Sequence, residues 1–411
     1  MTGSDRRRFI GQSAGALAGL ALMPSNLFAF NFRGAGVRVA IIGAGRQGRT
    51  ILGELQKMDG VAVVAVCDVD QRRLDSGLRR ARDAKGFASV DELLAQGGSF
   101  DAVCIATPTH THRAVGQACI AAGKHVYCEG PLASTVEDAA ALVRAARGAK
   151  TVFQVGFMAR SNPVYQLARS FYRSDAVRDL VSVYGQHHKK TSWRVPSNDA
   201  ARAKALNWKL DPAVSLGLAG EWGTHQFDSI AYFTGRYPTS VRGIGSIRFY
   251  DDGREVADTI ACHLIYKNKV VMTYDATLAN SYGGAFETLF GTNAAIKLAE
   301  THAWMFKEAD APTQGWEVYA NRQQFHNDEG ITLIAGATQL ADQGKLQEGV
   351  GLPHPGTYYA LGDFLKSVTE DAPIACSVDE GYRSTVVGIA AAEAVRTGVE
   401  VAIPEEQLRV G

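Results

Sequence analysis

The chain has 411 residues, 46% of them apolar and 21% charged, the balance of a soluble globular protein long enough for two domains. Its 43 Lys and Arg stand against 42 Asp and Glu, a formal net charge of +1, so no global field draws it to nucleic acid or an anionic membrane. No basic stripe with interleaved aromatics points to nucleic acid either.

Residues 1–33 read differently from the rest. Arg6-Arg7-Arg8-Phe9-Ile10 precedes the weakly apolar run Ser13 to Met23 and then Pro24. Paired arginines, a phenylalanine two positions on and a mild apolar segment resemble a twin-arginine export signal. The run is shorter than the roughly 20 residues a membrane span needs. The expectation is a periplasmic or otherwise exported protein that meets the twin-arginine machinery and has no stable span.

Beyond residue 34, strand and helix patterns alternate, as in a parallel sheet with crossover helices. The apolar run Val37–Ile42 leads into Gly43-Ala44-Gly45-Arg46-Gln47-Gly48. A glycine-rich turn between a buried strand and a helix lets backbone N–H groups approach a pyrophosphate, which then faces the positive end of the helix. A second apolar run, Val61–Cys67, ends in Asp68, and an acidic residue about 20 positions past the glycines is placed to grip ribose hydroxyls. A helix is expected from Gln71 to Lys85, and a capping box at Ser89-Val-Asp-Glu92 starts another. Asp101–Ala106 is a buried strand running into Thr107-Pro108-Thr109-His110-Thr111-His112. The next strand, Lys124–Cys128, ends in Glu129-Gly130-Pro131. Both strand ends face the expected cofactor crevice, where His110 and His112 contact cofactor or substrate, or serve as caps. Ser134-Thr-Val-Glu137 caps a further helix, and Thr151–Gly156 closes the first domain at residue 156.

Residues 157–411 form the second domain. Helix Pro163–Arg173 and strand Leu180–His188 precede an irregular polar stretch to about Leu218. Helix Gly223–Thr234 is followed by strands Val241–Tyr250, Val256–Tyr266, Val270–Leu278, Phe286–Gly291 and Ala294–Leu298, whose turns predict antiparallel neighbours. Helices Thr357–Val368 and Asp379–Arg396 end the pattern. The fold class is α/β: a Rossmann domain plus an α+β domain with an open, mainly antiparallel sheet.

Within Gly220-Glu221-Trp-Gly-Thr-His225-Gln-Phe-Asp228 the three titratable groups are four and three residues apart, so they share one face where a helix begins. A histidine beside carboxylates is a candidate general base, which hydride transfer from a carbinol requires. His187-His188-Lys189-Lys190-Thr-Ser-Trp193-Arg194 puts cations and an indole at a strand end, which suits sugar hydroxyls or an anionic substituent, or a solvated loop. If the strand continues through them, His187 and His188 face opposite sides. The six cysteines are scattered in apolar runs without CxxC spacing and read as buried hydrophobes. No set with metal-ligand spacing appears.

Taken together these residues resemble the glucose–fructose oxidoreductase / inositol dehydrogenase (Gfo/Idh/MocA) family. The resemblance rests on Gly43-x-Gly45-x-x-Gly48, Cys67-Asp68-Val-Asp70, Thr107-Pro108 with His112, Cys128-Glu129-x-Pro131 and Gly223-x-His225-x-x-Asp228. It implies bound NAD or NADP, held by Gly43, Gly45, Arg46, Gln47, Gly48, Asp68, Arg72, Thr107, Pro108, His112, Glu129 and Pro131. Asp68 favours NAD because its carboxylate repels a 2′-phosphate, while Arg72 and Arg73 keep NADP open. It also implies a sugar or polyol substrate, homo-oligomers built on the open sheet, and His225 as catalytic histidine, with Glu221 where many members carry aspartate. Tyr165, Trp193, Arg194 and Asp228 are expected to line the substrate site.

The family usually has lysine where this chain has Gly130, which removes a cation from the crevice. Either Lys189 or Lys190 replaces it from the loop, or the chemistry runs through His225 and Glu221 alone; Tyr165, His188 or Glu221 is the candidate for the second base a glycoside hydrolase would need. Three functions follow as expectations: an oxidoreductase acting at a ring carbinol with internally recycled NAD, a redox-neutral NAD-dependent glycoside hydrolase, and a non-catalytic carbohydrate-binding protein.

Overall fold

The structure, a computed structural model, describes residues 36–95, 99–313, 317, 320, 322–325, 328–335, 340 and 351–411. The export segment expected at 1–33 lies outside the described residues.

Strand and helix alternate from the start: β1 (Val37–Ile42), α1 (Arg46–Leu55), β2 (Val61–Cys67), α2 (Gln71–Leu78), β3 (Lys85–Phe87), α3 (Val90–Leu94), β4 (Ala102–Ile105), α4 (His112–Ala121), β5 (His125–Cys128), α5 (Val136–Arg147) and β6 (Phe153–Val155). The strands form one parallel sheet in the order β3-β2-β1-β4-β5-β6. β1, β4 and β5 are buried almost throughout, as expected for strands covered by helices on both faces. Register aligns Ile42 with Cys67 and with Ile105, and Ile105 with Cys128. The residues that follow these four, Gly43, Asp68, Ala106-Thr107 and Glu129, therefore come out at neighbouring carboxyl ends, where open α/β sheets bind ligands.

Next come α6 (Pro163–Arg173), β7 (Leu180–His188), α7 (Ala200–Leu206), α8 (Thr224–Thr234), β8 (Ser240–Ser246), β9 (Thr259–Ile265), β10 (Val271–Thr277), β11 (Ala285–Gly291), β12 (Ala294–Ala299), β13 (His302–Lys307), β14 (Arg322–Phe325), β15 (Asp328–Thr332), α9 (Gly356–Glu370), α10 (Val378–Thr397) and β16 (Val401–Ala402). The chain folds into two compact units. The larger runs to Ser161 and takes in Gly185–Ala285 and Gly356–Gly411; the smaller comprises Asn162–Tyr184 and Phe286–Pro355. The chain re-enters the larger unit at Gly185 and again at Gly356. In the larger unit the strand order is β7-β10-β9-β8-β16, with β7 contributing its last residues; in the smaller it is β14-β15-β13-β12-β11-β7, with β7 contributing its first. The pairs β8–β9, β9–β10, β11–β12 and β12–β13 are antiparallel, so the expected mainly antiparallel sheet is present.

The helix expected from Gln71 to Lys85 ends at Leu78. Lys85–Phe87 instead pairs with Ala65–Cys67 as an added parallel strand, so tertiary pairing overrides the helical propensity of the Arg-rich run. Ser377 and Glu380 form a reciprocal capping box on α10. All six cysteines are buried and free. Among the described residues no helix is long and apolar enough to cross a membrane.

Candidate active site

The glycine turn is shaped by contact with the neighbouring strand end. Gly43 has φ +93°, and a Cβ there would lie 2.6 Å from the Ala106 carbonyl oxygen. At Gly48 a Cβ would lie 1.8 Å from the Gly43 oxygen. Only glycine lets strand, turn and helix approach so closely. α1 starts at Gly45 with no side-chain cap and no acidic residue in its first turn, leaving its orphan N–H groups for an anion. The Asp68 carboxylate accepts from Ala44 N at 2.7 Å and Asp70 N at 2.8 Å, which fixes it beside the turn; burial raises its pKa, and those two donors oppose the rise. Arg72 lines a cavity of about 430 Å³ with Pro196, Ser197, Asn198, Asp199 and Arg202, and Arg202 forms a bidentate pair with Asp70. The donor set fits a dinucleotide: a pyrophosphate at the turn and α1, and ribose hydroxyls at Asp68.

From Gln47 the site continues to Glu129, whose Oε1 accepts from Gln47 Nε2 at 3.2 Å. Burial pushes the Glu129 carboxyl up to about 7, against the opposing pull of Gln47 and Lys209. The Gly130–Pro131 bond is cis. A Cβ at residue 130 would sit 2.3 Å from the Phe157 ring, and that ring stands edge-on to His225 with centroids 5.2 Å apart.

Glu221 sits in an irregularity that leads into the helix of His225. Ala219–Gly223 is a single π-helical turn running straight into α8, a feature concentrated at functional sites. Glu221 sits in that turn, buried, and accepts from Thr109 Oγ1 at 2.9 Å; burial raises its pKa, with Lys209 and Thr109 opposing. The His225 pKa falls to about 4, through burial and the Lys209 charge, against a raising hydrogen bond to the Gly130 backbone.

Aromatic rings complete the cluster. His187 stacks on Trp222 at 3.9 Å with planes 10° apart, and Trp193 meets Trp222 edge-on at 5.3 Å. Trp208 meets His110 at 5.9 Å. Lys209, in the short turn Trp208–Leu210, holds its Nζ 5.0 Å from the Trp193 ring centroid and 5.4 Å from that of Trp208.

The structure thus brings His225, Glu221, Trp193, Glu129 and Gln47 together, with Gly43, Gly45, Gly48, Asp68, Thr107 and Pro108 at the adjoining strand ends. Arg46, exposed at the start of α1, is close enough to depress the Lys209 pKa. Other expectations are corrected. Asp228 does not face substrate: both its oxygens accept from Arg160 at 2.8 and 2.9 Å, Ser384 donates at 2.7 Å, and the carboxylate is fully buried. His188 turns away from His187, as strand alternation demands, and pairs with Asp275 while the Tyr282 carbonyl contacts its other nitrogen; His187 is the one that joins the cluster. Lys189 and Lys190 are exposed, Lys190 lying over Phe249, and Arg194 is exposed and paired with Asp252. Tyr165 belongs to the smaller unit, where its hydroxyl donates to Glu287 at 2.8 Å. His112 is buried between the carbonyls of Pro131 and Thr107, 2.9 Å from each, so it ties two site loops together. Sequence reasoning missed Lys209, Thr109, Phe157, His187 and Trp222. For Lys209 the one available signal is a lysine between Trp208 and Leu210 in a stretch otherwise read as polar loop.

Fold and site define the class of protein: a Rossmann-type dinucleotide-binding chain with a second α/β domain and an acid–base cluster beside the nucleotide turn. The profile described as "Oxidoreductase family, NAD-binding Rossmann fold" matches residues 37–157, and that described as "Oxidoreductase family, C-terminal alpha/beta domain" matches 181–403. The chain belongs to the Gfo/Idh/MocA oxidoreductase family. It is 33% identical over 209 residues to an inositol 2-dehydrogenase of Pseudarthrobacter chlorophenolicus, covering 50% of this chain and 56% of that one; the chain therefore spans about half the length of such relatives. A myo-inositol 2-dehydrogenase of Thermotoga maritima is 24% identical over 370 residues, 90% of this chain and 99% of that one. A levoglucosan dehydrogenase structure in complex with NADH and levoglucosan shares the fold, with TM-score 0.71 and 20% identity, covering 90% of this chain and all of that one.

Proposed function

We propose that the protein is an NAD-dependent oxidoreductase that transfers hydride at a ring carbinol of a sugar or cyclic polyol. The observation carrying this reading is the placement of His225, edge-on to Phe157 at Gly130, with Glu221 held by Thr109 and Glu129 held by Gln47 beside a dinucleotide turn. Bound NAD supplies the hydride acceptor. His225 takes the hydroxyl proton, its ring held by the edge contact with Phe157. Thr109 fixes Glu221, which orients a second hydroxyl. Trp193, Trp208 and Trp222 offer apolar faces to the C–H faces of a ring, while the carboxylates address its hydroxyls. The names of the relatives, inositol and levoglucosan dehydrogenases, support a cyclic polyol or sugar.

The Arg6-Arg7-Arg8-Phe9 pattern supports export, and in that setting we infer a resident NAD that is regenerated within each cycle, because free cofactor is scarce outside the cytoplasm. Exposed Ile244, Ile247 and Phe249 support assembly as a homo-oligomer. The test is incubation of purified protein with NAD and a panel of myo-inositol, levoglucosan, hexoses and aryl glycosides. Nicotinamide reduction by a polyol or sugar is the expected result. Release of aryl alcohol without net NADH would replace this reading with a redox-neutral glycosidase, and sugar binding without turnover would leave only a binding role.

A further inference from the structure

We propose that Lys209 is a catalytic residue of this site, its ammonium donating a hydrogen bond to the substrate oxygen from which His225 takes the proton. This rests on the carbinol-oxidising reading above.

The placement of the amine is geometric. Leu206 and Leu210, both buried, anchor the turn that carries Lys209. Two chains of contact lead from its Nζ to the acid–base pair. One passes through Trp193 to Trp222, the neighbour of Glu221. The other passes through Trp208 to His110, the neighbour of Thr109, which donates to Glu221. The Lys209 charge acts on Glu221, Glu129, His225 and His187 alike.

Two further observations give the amine a task. Among the described residues its Nζ makes no ion pair within 4.0 Å and no hydrogen bond, in contrast to Lys57, Lys124 and Lys307. Partly buried between indole faces, it keeps its donors for a ligand. Position 130 is closed to any such group, because the Phe157 ring occupies the space where a side chain there would begin. Lys189 and Lys190, the lysines that directly follow β7, are exposed. Burial lowers the Lys209 pKa, with Glu221 and Glu129 opposing and Arg46 adding to the fall, which makes it a readier proton donor than a solvated lysine.

The experiment compares Lys209→Met and Lys209→Arg with the wild-type chain in three readouts: kcat on whichever of myo-inositol, levoglucosan or glucose is turned over, Kd for NADH by nicotinamide fluorescence, and the His225 titration by histidine NMR, assigned with His225→Gln. Lys209→Met is expected to lower kcat by about a hundredfold or more, the scale of losing one donor to a developing oxyanion, with the NADH Kd unchanged within about threefold. Lys209→Arg is expected to recover part of that loss. Removal of the cation is also expected to raise the His225 pKa by roughly half a unit or more. A Lys209→Met protein with kcat close to wild type, or an unmoved His225 titration, would overturn the proposal. If the wild type oxidises nothing in the panel, the functional reading fails on its own, and the His225 titration still decides whether the amine belongs to this site.

Discussion

Gly130→Ala is the smallest perturbation that tests how the crevice is built. The added Cβ would stand 2.3 Å from Phe157 Cε1 and 2.7 Å from Cζ. Carbon atoms rest about 3.5–4.0 Å apart, so the ring edge has to retreat by about 1.2 Å or more. Phe157 is only 2% exposed and has no free side to move into, so the substitution is expected to cost about 1–3 kcal/mol as overpacking. A second effect falls on the chemistry. The ring that must move is in edge contact with His225. Misplacement on the order of 1 Å costs about a hundredfold in rate. Chemical denaturation and kcat are measured for Gly130→Ala, Phe157→Leu and the double variant. Because the leucine vacates the space the Cβ needs, the double variant is expected to be more stable than the sum of the two single losses predicts, with a coupling of about 1 kcal/mol or more. Gly130→Ala with stability and kcat like wild type, or a double variant showing simple additivity, would refute this picture of the crevice.

His225→Ala is expected to abolish sugar oxidation while NADH still binds; retention of full activity would remove it from the mechanism. Because burial depresses the His225 pKa to about 4, the base stays deprotonated far below the usual imidazole range. The acid limb of kcat/KM should therefore fall toward pH 4 and not near 6.5. Glu129, raised to about 7, should add a separate inflection near neutrality that disappears in Glu129→Gln. Asp228→Ala takes the bidentate carboxylate away from a buried guanidinium. It should cost about 3–5 kcal/mol in denaturant unfolding, and a loss below about 1 kcal/mol would contradict the structural role given to Asp228. Asp68→Ala removes the acceptor of Ala44 N–H and the expected ribose ligand; the NADH Kd should rise by about tenfold or more, measured by fluorescence titration.

Much of the first domain was legible because its signals are local. Val37–Ile42, apolar but for Arg38, and the apolar run Val61–Cys67 are bounded by Gly43 and Asp68, and both strands lie where these runs put them. Failures occur where long-range contact decides. The charged run after Leu78 reads as helix, yet pairing with β2 makes Lys85–Phe87 a strand. β13–β15 went unread, although Ala303 and Met305 alternate inward in β13. In the site, the i, i+4, i+7 spacing put Glu221, His225 and Asp228 on one face, and the structure takes Asp228 out of that set. A π turn opens the helix under Glu221, and Arg160, 68 residues earlier in the chain, claims Asp228 for the core. Lys209 was invisible for a related reason. Its neighbours Trp193, Glu129 and Glu221 are distant in sequence, and a three-residue 3₁₀ turn in a polar stretch has no periodicity to mark it.

The most direct test of the account is a single-turnover experiment on the purified chain loaded with NAD. After addition of myo-inositol or levoglucosan, wild-type protein should develop reduced-nicotinamide fluorescence, and His225→Ala should bind NAD equally but develop none. If wild type and His225→Ala respond identically, or neither reduces NAD with any polyol or sugar in the panel, the assignment of carbinol oxidation to this cluster is wrong.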